Sequence, residues 1–237
     1  MTDTITIDTL AGDGRFSAYR VEPQDAPRGA IIVIQEIFGI NAGIRRKCDT
    51  LAEAGYLALA PELFWRFAPG VELDPDVPEQ MQRALGLMGE FDQDQGIADI
   101  EATIRHVRSL LGDAGVDGGK VGVVGYCLGG RLAFMTAART DVDASVGYYG
   151  VGIDGLLGEA PAIARPVLLH VPQEDHFVDK AAQTRMHEGL DGHPKVTLHD
   201  YPGEDHGFAT EFGERRSEES ARLADERTAA FFAEHVG

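Results

Sequence analysis

The sequence contains few cysteines and few basic side chains. Its 237 residues include two cysteines, and 39 acidic side chains against 21 lysines and arginines give a formal net charge of −18. Two cysteines are too few for a small domain held together by disulfides. Proteins that bind nucleic acids or anionic membranes need a basic surface, so we expect neither partner.

Long apolar runs and targeting signals are also missing. No apolar run approaches the roughly 20 residues that span a bilayer. The first ten residues, MTDTITIDTL, lack the basic and apolar regions of a signal peptide. We therefore expect a reducing, cytoplasmic environment. The hydrophobic fraction of 43% is ordinary for a globular protein, and we expect residues 1–237 to form a single domain.

Short β-branched runs alternate with amphipathic segments along the chain. Strands are predicted at 4–10, 16–22, 30–34, 56–60, 120–126, 144–149, 167–171 and 196–201, and helices at 43–54, 79–90, 94–111, 128–138, 178–190 and 217–235. Residues 62–78 are rich in proline and are predicted to be irregular. This order predicts an α/β fold, with a mostly parallel sheet covered by helices on both faces. Ligands of such sheets bind at the carboxyl ends of the strands.

The most informative motif directly follows the strand predicted at 120–126. Residues 125–130 read Gly-Tyr-Cys-Leu-Gly-Gly and open a helix. Strand, tight turn and helix in this order are the context of a G-x-S-x-G nucleophile elbow, here with Cys127 in the serine position. The helix N-terminus favours a thiolate and a developing oxyanion. The alternative is a buried, inert cysteine in a glycine-rich turn.

A cysteine nucleophile needs a base, and the base needs a carboxylate that orients it. In the α/β-hydrolase order the acid follows the nucleophile along the chain. Asp175 lies just after the strand at 167–171 and is the preferred acid, with Glu174 as its neighbouring rival. The alternative role of Asp175 is a helix N-cap.

The base is expected after the last strand, at 196–201. His206 lies in the following loop with Gly207 beside it, and it is the preferred base. His170 lies within a predicted strand and is expected to be a packed core residue. His176 adjoins the proposed acid and does not face it.

A carboxylate, Glu36, ends the isoleucine-rich strand at 30–34. In α/β-hydrolases this position supplies the second oxyanion amide, here that of Ile37, beside the amide of Leu128. A carboxylate would repel the oxyanion, so we expect Glu36 to contact Cys127 and to tune its protonation. The alternative is a strand-end acid that points to water.

These motifs together resemble the dienelactone hydrolase family, which are cysteine-dependent α/β-hydrolases. The matching stretches are 35–39 with Asn41, 125–130, 147–150, 175–178 and 206–208. The resemblance implies an α/β-hydrolase fold and a triad of Cys127, Asp175 and His206. It also implies that Glu36 helps to hold the resting cysteine as a protected thiol until substrate displaces it. The family favours a monomer, and no cofactor or metal is implied.

The expected substrate pocket departs from the lactone-specific members of this family. Those enzymes hold the substrate carboxylate with two arginines, and here Met81 takes one position, with Arg83 close by, and residues 209–210 take the other. Leu85 replaces a pocket tyrosine, and we also expect Tyr148 to contact substrate. An apolar pocket with a weakened anion clamp predicts a preference for neutral, short acyl esters over an anionic lactone.

Other functions remain open at this point. A carboxylesterase or a thioesterase would use the same triad, and a non-catalytic binding protein would keep the scaffold. Asp175, His176, Asp205 and His206 suggest a metal site by composition, but no metal-binding spacing supports it. A redox role for Cys127 lacks a resolving partner, because Cys48 lies on the first helix and is expected to be packed in the core.

Overall fold

The computed structural model describes residues 2–116 and 118–237, and its centre is one eight-stranded sheet. The strands are β1 (Thr2–Asp8), β2 (Arg15–Val21), β3 (Ala30–Ile34), β4 (Leu57–Pro61), β5 (Val121–Tyr126), β6 (Ala144–Tyr148), β7 (Val167–Pro172) and β8 (Val196–Tyr201). They lie in the order β1-β2-β4-β3-β5-β6-β7-β8. From β4 to β8 every neighbouring pair is parallel, whereas β1 and β2 form an antiparallel hairpin at one edge.

Six α-helices cover the sheet. They are α1 (Ala42–Glu53), α2 (Pro78–Glu90), α3 (Gln93–Asp113), α4 (Leu128–Arg139), α5 (Lys180–Leu190) and α6 (Glu218–His235). Successive side chains of β3 explain the two layers. Ile32 and Ile34 pack with apolar residues of α3 and α4, whereas Ile31 and Val33 pack with those of α1 and α6. A strand with both faces buried reads as a continuous apolar run, as residues 30–34 do.

The α/β-hydrolase fold and its mostly parallel sheet are therefore confirmed. Every predicted strand and helix is present, with bounds shifted by no more than two residues. One element was not predicted, a 3-10 helix at Ile153–Ala162. Its two glycines and Pro161 disrupt the helical period, so no clear pattern predicts it. None of the helices within the described residues is long and apolar enough to cross a bilayer.

Candidate active site

The turn between β5 and α4 holds Cys127 in a backbone conformation that side chains rarely adopt. Its φ is 56° and its ψ is −113°, and its residue surface is 6% exposed. Such strained residues persist only where surrounding structure fixes them, and they cluster at functional sites. The Cys127 amide donates to the Tyr148 carbonyl at 3.1 Å, which ties the turn to β6. The elbow predicted from the motif is the local geometry found here.

The glycines of the motif are required by close backbone contacts. A Cβ added at Gly125 would overlap the carbonyl of Gly129, and one added at Gly129 would overlap the carbonyls of Ile34 and Gln35. Helix α4 thus starts close against the end of β3. This close approach brings the nucleophile beside the loop that begins with Gln35.

His206 and Asp175 form a buried pair at the carboxyl ends of β7 and β8. The His206 Nδ1 lies 2.9 Å from Asp175 Oδ2 and 3.1 Å from Oδ1. The carboxylate also accepts hydrogen bonds from the amides of Phe177, at 2.8 Å, and Val178, at 3.2 Å. These bonds fix the carboxylate, so the imidazole plane is fixed in turn. The other ring nitrogen, Nε2, is buried without a hydrogen-bond partner among the described residues.

The pKa of His206 is raised by its partners. Burial alone would lower it, but the Asp175 carboxylate and the Cys127 sulfur outweigh burial and raise the pKa from the usual 6.5 to about 10. The raised pKa leaves His206 able to keep a proton beside the Cys127 sulfur at neutral pH. His206 is therefore suited both to hold the Cys127 proton and to pass it on.

Glu36 is a buried carboxyl group that lacks a hydrogen bond at Oε1. Burial raises its pKa, while the nearby charges of Arg215, His206 and Lys47 act in the opposite direction. The Gln35 side chain holds this loop. Its Nε2 donates to the Glu36 carbonyl at 3.2 Å, and its Oε1 accepts from the Leu63 amide at 3.1 Å. Glu36 is thus shielded from solvent and lies near enough to His206 for the imidazole charge to act on its carboxyl group.

Two backbone amides near Cys127 have no acceptor among the described residues. Leu128 is the first residue of α4, where amides lack an intrahelical acceptor. The Ile37 amide has no acceptor among the described residues. Ile37, Cys127 and His206 line one cavity. This arrangement is what the sequence motif predicts for acyl transfer, in which amides stabilise the tetrahedral intermediate.

The cavity beside Cys127 is narrow and mostly apolar. Its volume is about 40 Å³, and it is lined by Ile37, Phe38, Met81, Leu85, Met88, Cys127, Val151, Phe177, His206 and Arg215. Met81 and Leu85 on α2, both expected from the sequence, therefore do face the nucleophile. Leu85, Met88 and Phe177 are partly exposed at its rim, which leaves an apolar entrance.

Arg215 is the one arginine or lysine among the described residues that line this cavity, and the sequence reading missed it. Its guanidinium lies 5.5 Å from the centre of the Phe38 ring. Its Nη2 is buried and makes no hydrogen bond to any described residue. By contrast, Arg83, the base considered from spacing, is exposed and lines none of the cavities described here. The only sequence signal for Arg215 was a basic pair inside the acid-rich segment after the catalytic loop.

Tyr148 does not line the cavity beside Cys127, so the expectation that it contacts substrate is not met. Its side chain is fully buried, and its hydroxyl is 2.6 Å from Thr228 Oγ1 and 3.0 Å from Asp225 Oδ1. Its neighbour Tyr149 has a φ of 40° and turns towards the catalytic base. The Tyr149 ring meets the His206 ring edge to face at 4.9 Å, and its hydroxyl is buried without a partner. The residue of this pair that faces the site is Tyr149.

The other acid, cysteine and histidine considered in the sequence analysis lie outside the catalytic cavity and have other surroundings. Glu174 is exposed and pairs with Lys180, with Nζ 3.1 Å from Oε1. Cys48 is fully buried in the layer of α1, where burial raises the pKa of its thiol. His170 is a core residue whose ring nitrogens contact Tyr201 and Thr228.

The four residues considered as a metal site form hydrogen bonds with one another. Potential ligand atoms of Asp175, His176 and Asp205 lie within 4.8 Å of one another. Asp205 Oδ1 lies 2.8 Å from His176 Nδ1 and accepts the His206 amide at 2.6 Å. These contacts brace the loop that carries the catalytic histidine.

Comparison with known proteins places this geometry in a family. The model of the dienelactone hydrolase family matches residues 16–236. A carboxymethylenebutenolidase from Pseudomonas putida is 40% identical over 233 residues, covering 98% of this chain and 97% of that protein. A candidate carboxymethylenebutenolidase from Azospirillum brasilense is 45% identical, with full coverage of both chains. The solved structure of a candidate dienelactone hydrolase from Klebsiella pneumoniae subsp. pneumoniae has a TM-score of 0.81 and 29% identity, covering 99% of this chain and 100% of that one.

The family match spans nearly the whole chain, and its range includes the elbow at Cys127, the buried pair of Asp175 and His206, and the amides of Ile37 and Leu128. The relatives are named as enzymes that act on lactone or ester bonds. The chain belongs to the dienelactone hydrolase family and is a carboxylic ester hydrolase.

Proposed function

We propose that the reaction proceeds through an acyl-cysteine formed on Cys127, with His206 as proton carrier and Asp175 as its orienting partner. The strained elbow, the buried Asp175–His206 pair and the two unpaired amides support this assignment. Each group comes from the carboxyl end of a parallel strand of one chain. The site thus needs no second subunit, and we propose that the protein acts as a monomer.

The steps follow from these positions. The Cys127 sulfur attacks the carbonyl carbon, and the amides of Ile37 and Leu128 hold the resulting oxyanion. Collapse of this intermediate breaks the ester bond, and His206 gives the leaving oxygen the proton that came from the thiol. A water molecule then attacks the thioester as His206 takes its proton. The second intermediate releases the acid, and the proton returns to the cysteine sulfur.

The substrate is proposed to carry an anionic group near the scissile bond. The observation that carries this is the unpaired, buried Nη2 of Arg215 in the same cavity as Cys127. A guanidinium donates charge-assisted hydrogen bonds to a carboxylate. The sequence reading predicted a preference for neutral esters because the two arginine positions of the family are altered. Arg215 supplies a guanidinium from a different position. The Pseudomonas putida relative is a carboxymethylenebutenolidase, a name that describes a lactone bearing a carboxymethylene group.

The test compares kcat/KM for the dienelactone with that for its neutral carboxamide analogue and for p-nitrophenyl acetate. We expect the carboxylate form to exceed the carboxamide by about 10- to 100-fold, in line with a hydrogen bond to a charged group. Arg215→Met should remove most of this ratio while changing p-nitrophenyl acetate hydrolysis little. Cys127→Ala should abolish turnover of all three compounds.

Arg83→Met is the matched control, because Arg83 is a basic residue of α2 that is exposed and not part of the cavity. It should leave the ratio unchanged. A ratio near one in the wild-type protein would favour the second candidate, hydrolysis of neutral short-acyl esters or thioesters. That candidate is supported by the apolar side chains of Met81, Leu85 and Met88 on the cavity wall. Turnover that persists in Cys127→Ala would overturn the acyl-cysteine mechanism itself.

A further inference from the structure

A second, larger cavity lies beside the catalytic one and shares no lining residue with it. Its volume is about 350 Å³. We call it the acidic chamber, defined by Glu36, Lys47, Glu72, Asp74, Asp76, Tyr126, Tyr149, Thr210, Glu211 and Phe212. Glu36 borders this chamber, whereas the next residue, Ile37, borders the catalytic cavity. The reaction described above uses none of the space in the chamber.

The charge of the chamber is strongly negative. Five carboxylates and one lysine line it. Lys47 is already paired, with its Nζ 2.7 Å from Glu211 Oε1 and 3.2 Å from Asp225 Oδ1. Glu72 pairs with Arg45. Glu36, Asp74 and Asp76 form no salt bridge with any described residue, so the chamber favours a cation and opposes an anion.

Three polar oxygens of the chamber are buried and have no hydrogen-bond partner in the part of the chain that the structure describes. They are Oε1 of Glu36, the hydroxyl oxygen of Tyr149 and Oγ1 of Thr210. Each of these residues is more than nine-tenths buried. Buried polar atoms without a partner are rare in folded proteins, and each calls for a donor or acceptor from water or a ligand. All three oxygens can accept a hydrogen bond.

The geometry points to the acidic chamber as a binding site for a small organic primary ammonium ion carrying an apolar or aromatic group. Such an ion has one positive charge and three N–H donors. The Phe212 side chain, which lines the chamber and is 57% exposed, offers an aromatic surface for cation–π and apolar contact. The volume lies in the range of small-molecule sites, whereas a bare metal ion would leave most of it unfilled. This inference concerns a site apart from the catalytic cavity and does not depend on the proposed substrate.

Binding is measured by isothermal titration calorimetry on the full chain near neutral pH, with 2-phenylethylammonium as the probe. 2-Phenylethanol is the neutral control, because it keeps the ring and chain but lacks the charge. We expect saturable 1:1 binding of the ammonium with a Kd below about 1 mM. The alcohol should bind at least about tenfold more weakly, since charge-assisted hydrogen bonds are lost. No saturation, or equal affinity for the alcohol, would overturn the assignment.

Variants locate the site. Thr210→Val removes one unpaired hydroxyl at nearly constant volume, and Tyr149→Phe removes another, so each should weaken ammonium binding several-fold. Thr197→Val, at an exposed position of β8, is the matched control and should bind as the wild-type protein does. Circular dichroism of each variant verifies the fold. Unchanged affinity in both Thr210→Val and Tyr149→Phe would contradict the assignment.

Alkylation separates the two cavities. Iodoacetamide on Cys127 would fill the narrow catalytic cavity, and it would leave the acidic chamber open, because Cys127 does not line the chamber. The alkylated protein should therefore retain ammonium binding within about twofold of the untreated protein. Loss of binding on alkylation would show that the probe occupies the catalytic cavity. This result is independent of whether the protein prefers anionic or neutral esters.

Discussion

Asp175 holds His206 through both of its carboxylate oxygens, with Oδ2 at 2.9 Å and Oδ1 at 3.1 Å from Nδ1, while the Phe177 and Val178 amides donate to Oδ1 of the same carboxylate. These amide bonds close a turn before α5, whose N-cap is Asp179, so the alternative role of Asp175 as a helix N-cap is not found. The Asp175 side chain thus fixes this turn and, in the proposed mechanism, orients the base. This double role fixes the tautomer and the direction of the imidazole.

Replacing Asp175 by Asn should reduce kcat by about 10³- to 10⁴-fold, because an amide NH2 would favour the wrong imidazole tautomer. The Asn carbonyl can still accept the hydrogen bonds from the amides of Phe177 and Val178, so thermal stability should fall much less than activity. Steady-state kinetics and thermal melting measure the two effects. Glu174→Gln is the control at the neighbouring exposed carboxylate, and it should keep kcat. A loss below tenfold in Asp175→Asn would contradict the assigned role.

The raised pKa of His206 predicts an imidazolium that survives well above neutral pH. With a pKa of about 10 in place of the usual 6.5, the folded protein holds a proton that the unfolded chain releases. Taken alone, that proton stabilises the fold fully below pH 6.5, and its contribution is lost as the pH rises through about 10. NMR titration of the His206 ring should therefore show no deprotonation between pH 6 and about pH 9.

The same titration tests the cause of the shift. Cys127→Ala removes the sulfur that helps to raise the pKa, so the His206 pKa should fall in this variant. Asp175→Asn should lower it as well. A wild-type His206 that titrates near 6.5 would show that neither neighbour stabilises the imidazolium.

Substitution by alanine should have opposite effects on stability at Gly125, in the elbow, and at Gly86, in helix α2. Gly125→Ala should abolish activity and lower stability, because its Cβ would overlap the backbone of Gly129. Gly86→Ala has no atom within 4 Å of the added Cβ and lies inside helix α2. It should raise the free energy of unfolding by about 0.5–1 kcal/mol, because alanine favours the helix. Urea unfolding and kinetics of both variants verify this, and an active Gly125→Ala protein would show that the elbow can relax.

The sequence predicted those parts of the fold and site that depend on local pattern. Buried strands such as residues 30–34 read as apolar runs, and the elbow glycines at 125 and 129 mark a backbone contact that requires them. Cys127, Asp175 and His206 follow strands, so the parallel topology alone brings them to one edge of the sheet. Their catalytic roles stay predictions until the variants are measured.

Features that depend on packing between distant parts of the chain could not be predicted from local sequence patterns. Arg215 enters the catalytic cavity through an irregular loop, whose path has no periodic signature. The choice between Tyr148 and Tyr149 depends on the left-handed backbone at Tyr149, which reverses the direction expected from strand alternation. The acidic chamber combines three chain segments, at 36–47, 72–80 and 209–213, with the separate residues Tyr126 and Tyr149, and no single motif describes it.

Phe177 forms an apolar rim directly over the catalytic base. Its side chain is 46% exposed, and its ring meets the His206 ring edge to face at 4.8 Å. An exposed aromatic side chain at a cavity entrance offers contact area to the apolar part of a substrate. Phe177→Ala should therefore raise KM for aryl esters several-fold and leave kcat within about twofold, because the contact is made equally in the ground state and the transition state.

Leu223→Ala is the control for this change, since Leu223 is an exposed apolar residue of α6 that lines neither cavity. It should leave both KM and kcat unchanged. Steady-state kinetics on phenyl and ethyl esters of one acid separate aromatic contact from general effects, because only the phenyl ester should lose affinity. If Phe177→Ala instead lowers kcat for both esters equally, the ring positions His206 for the chemical step, and the rim has no part in holding substrate.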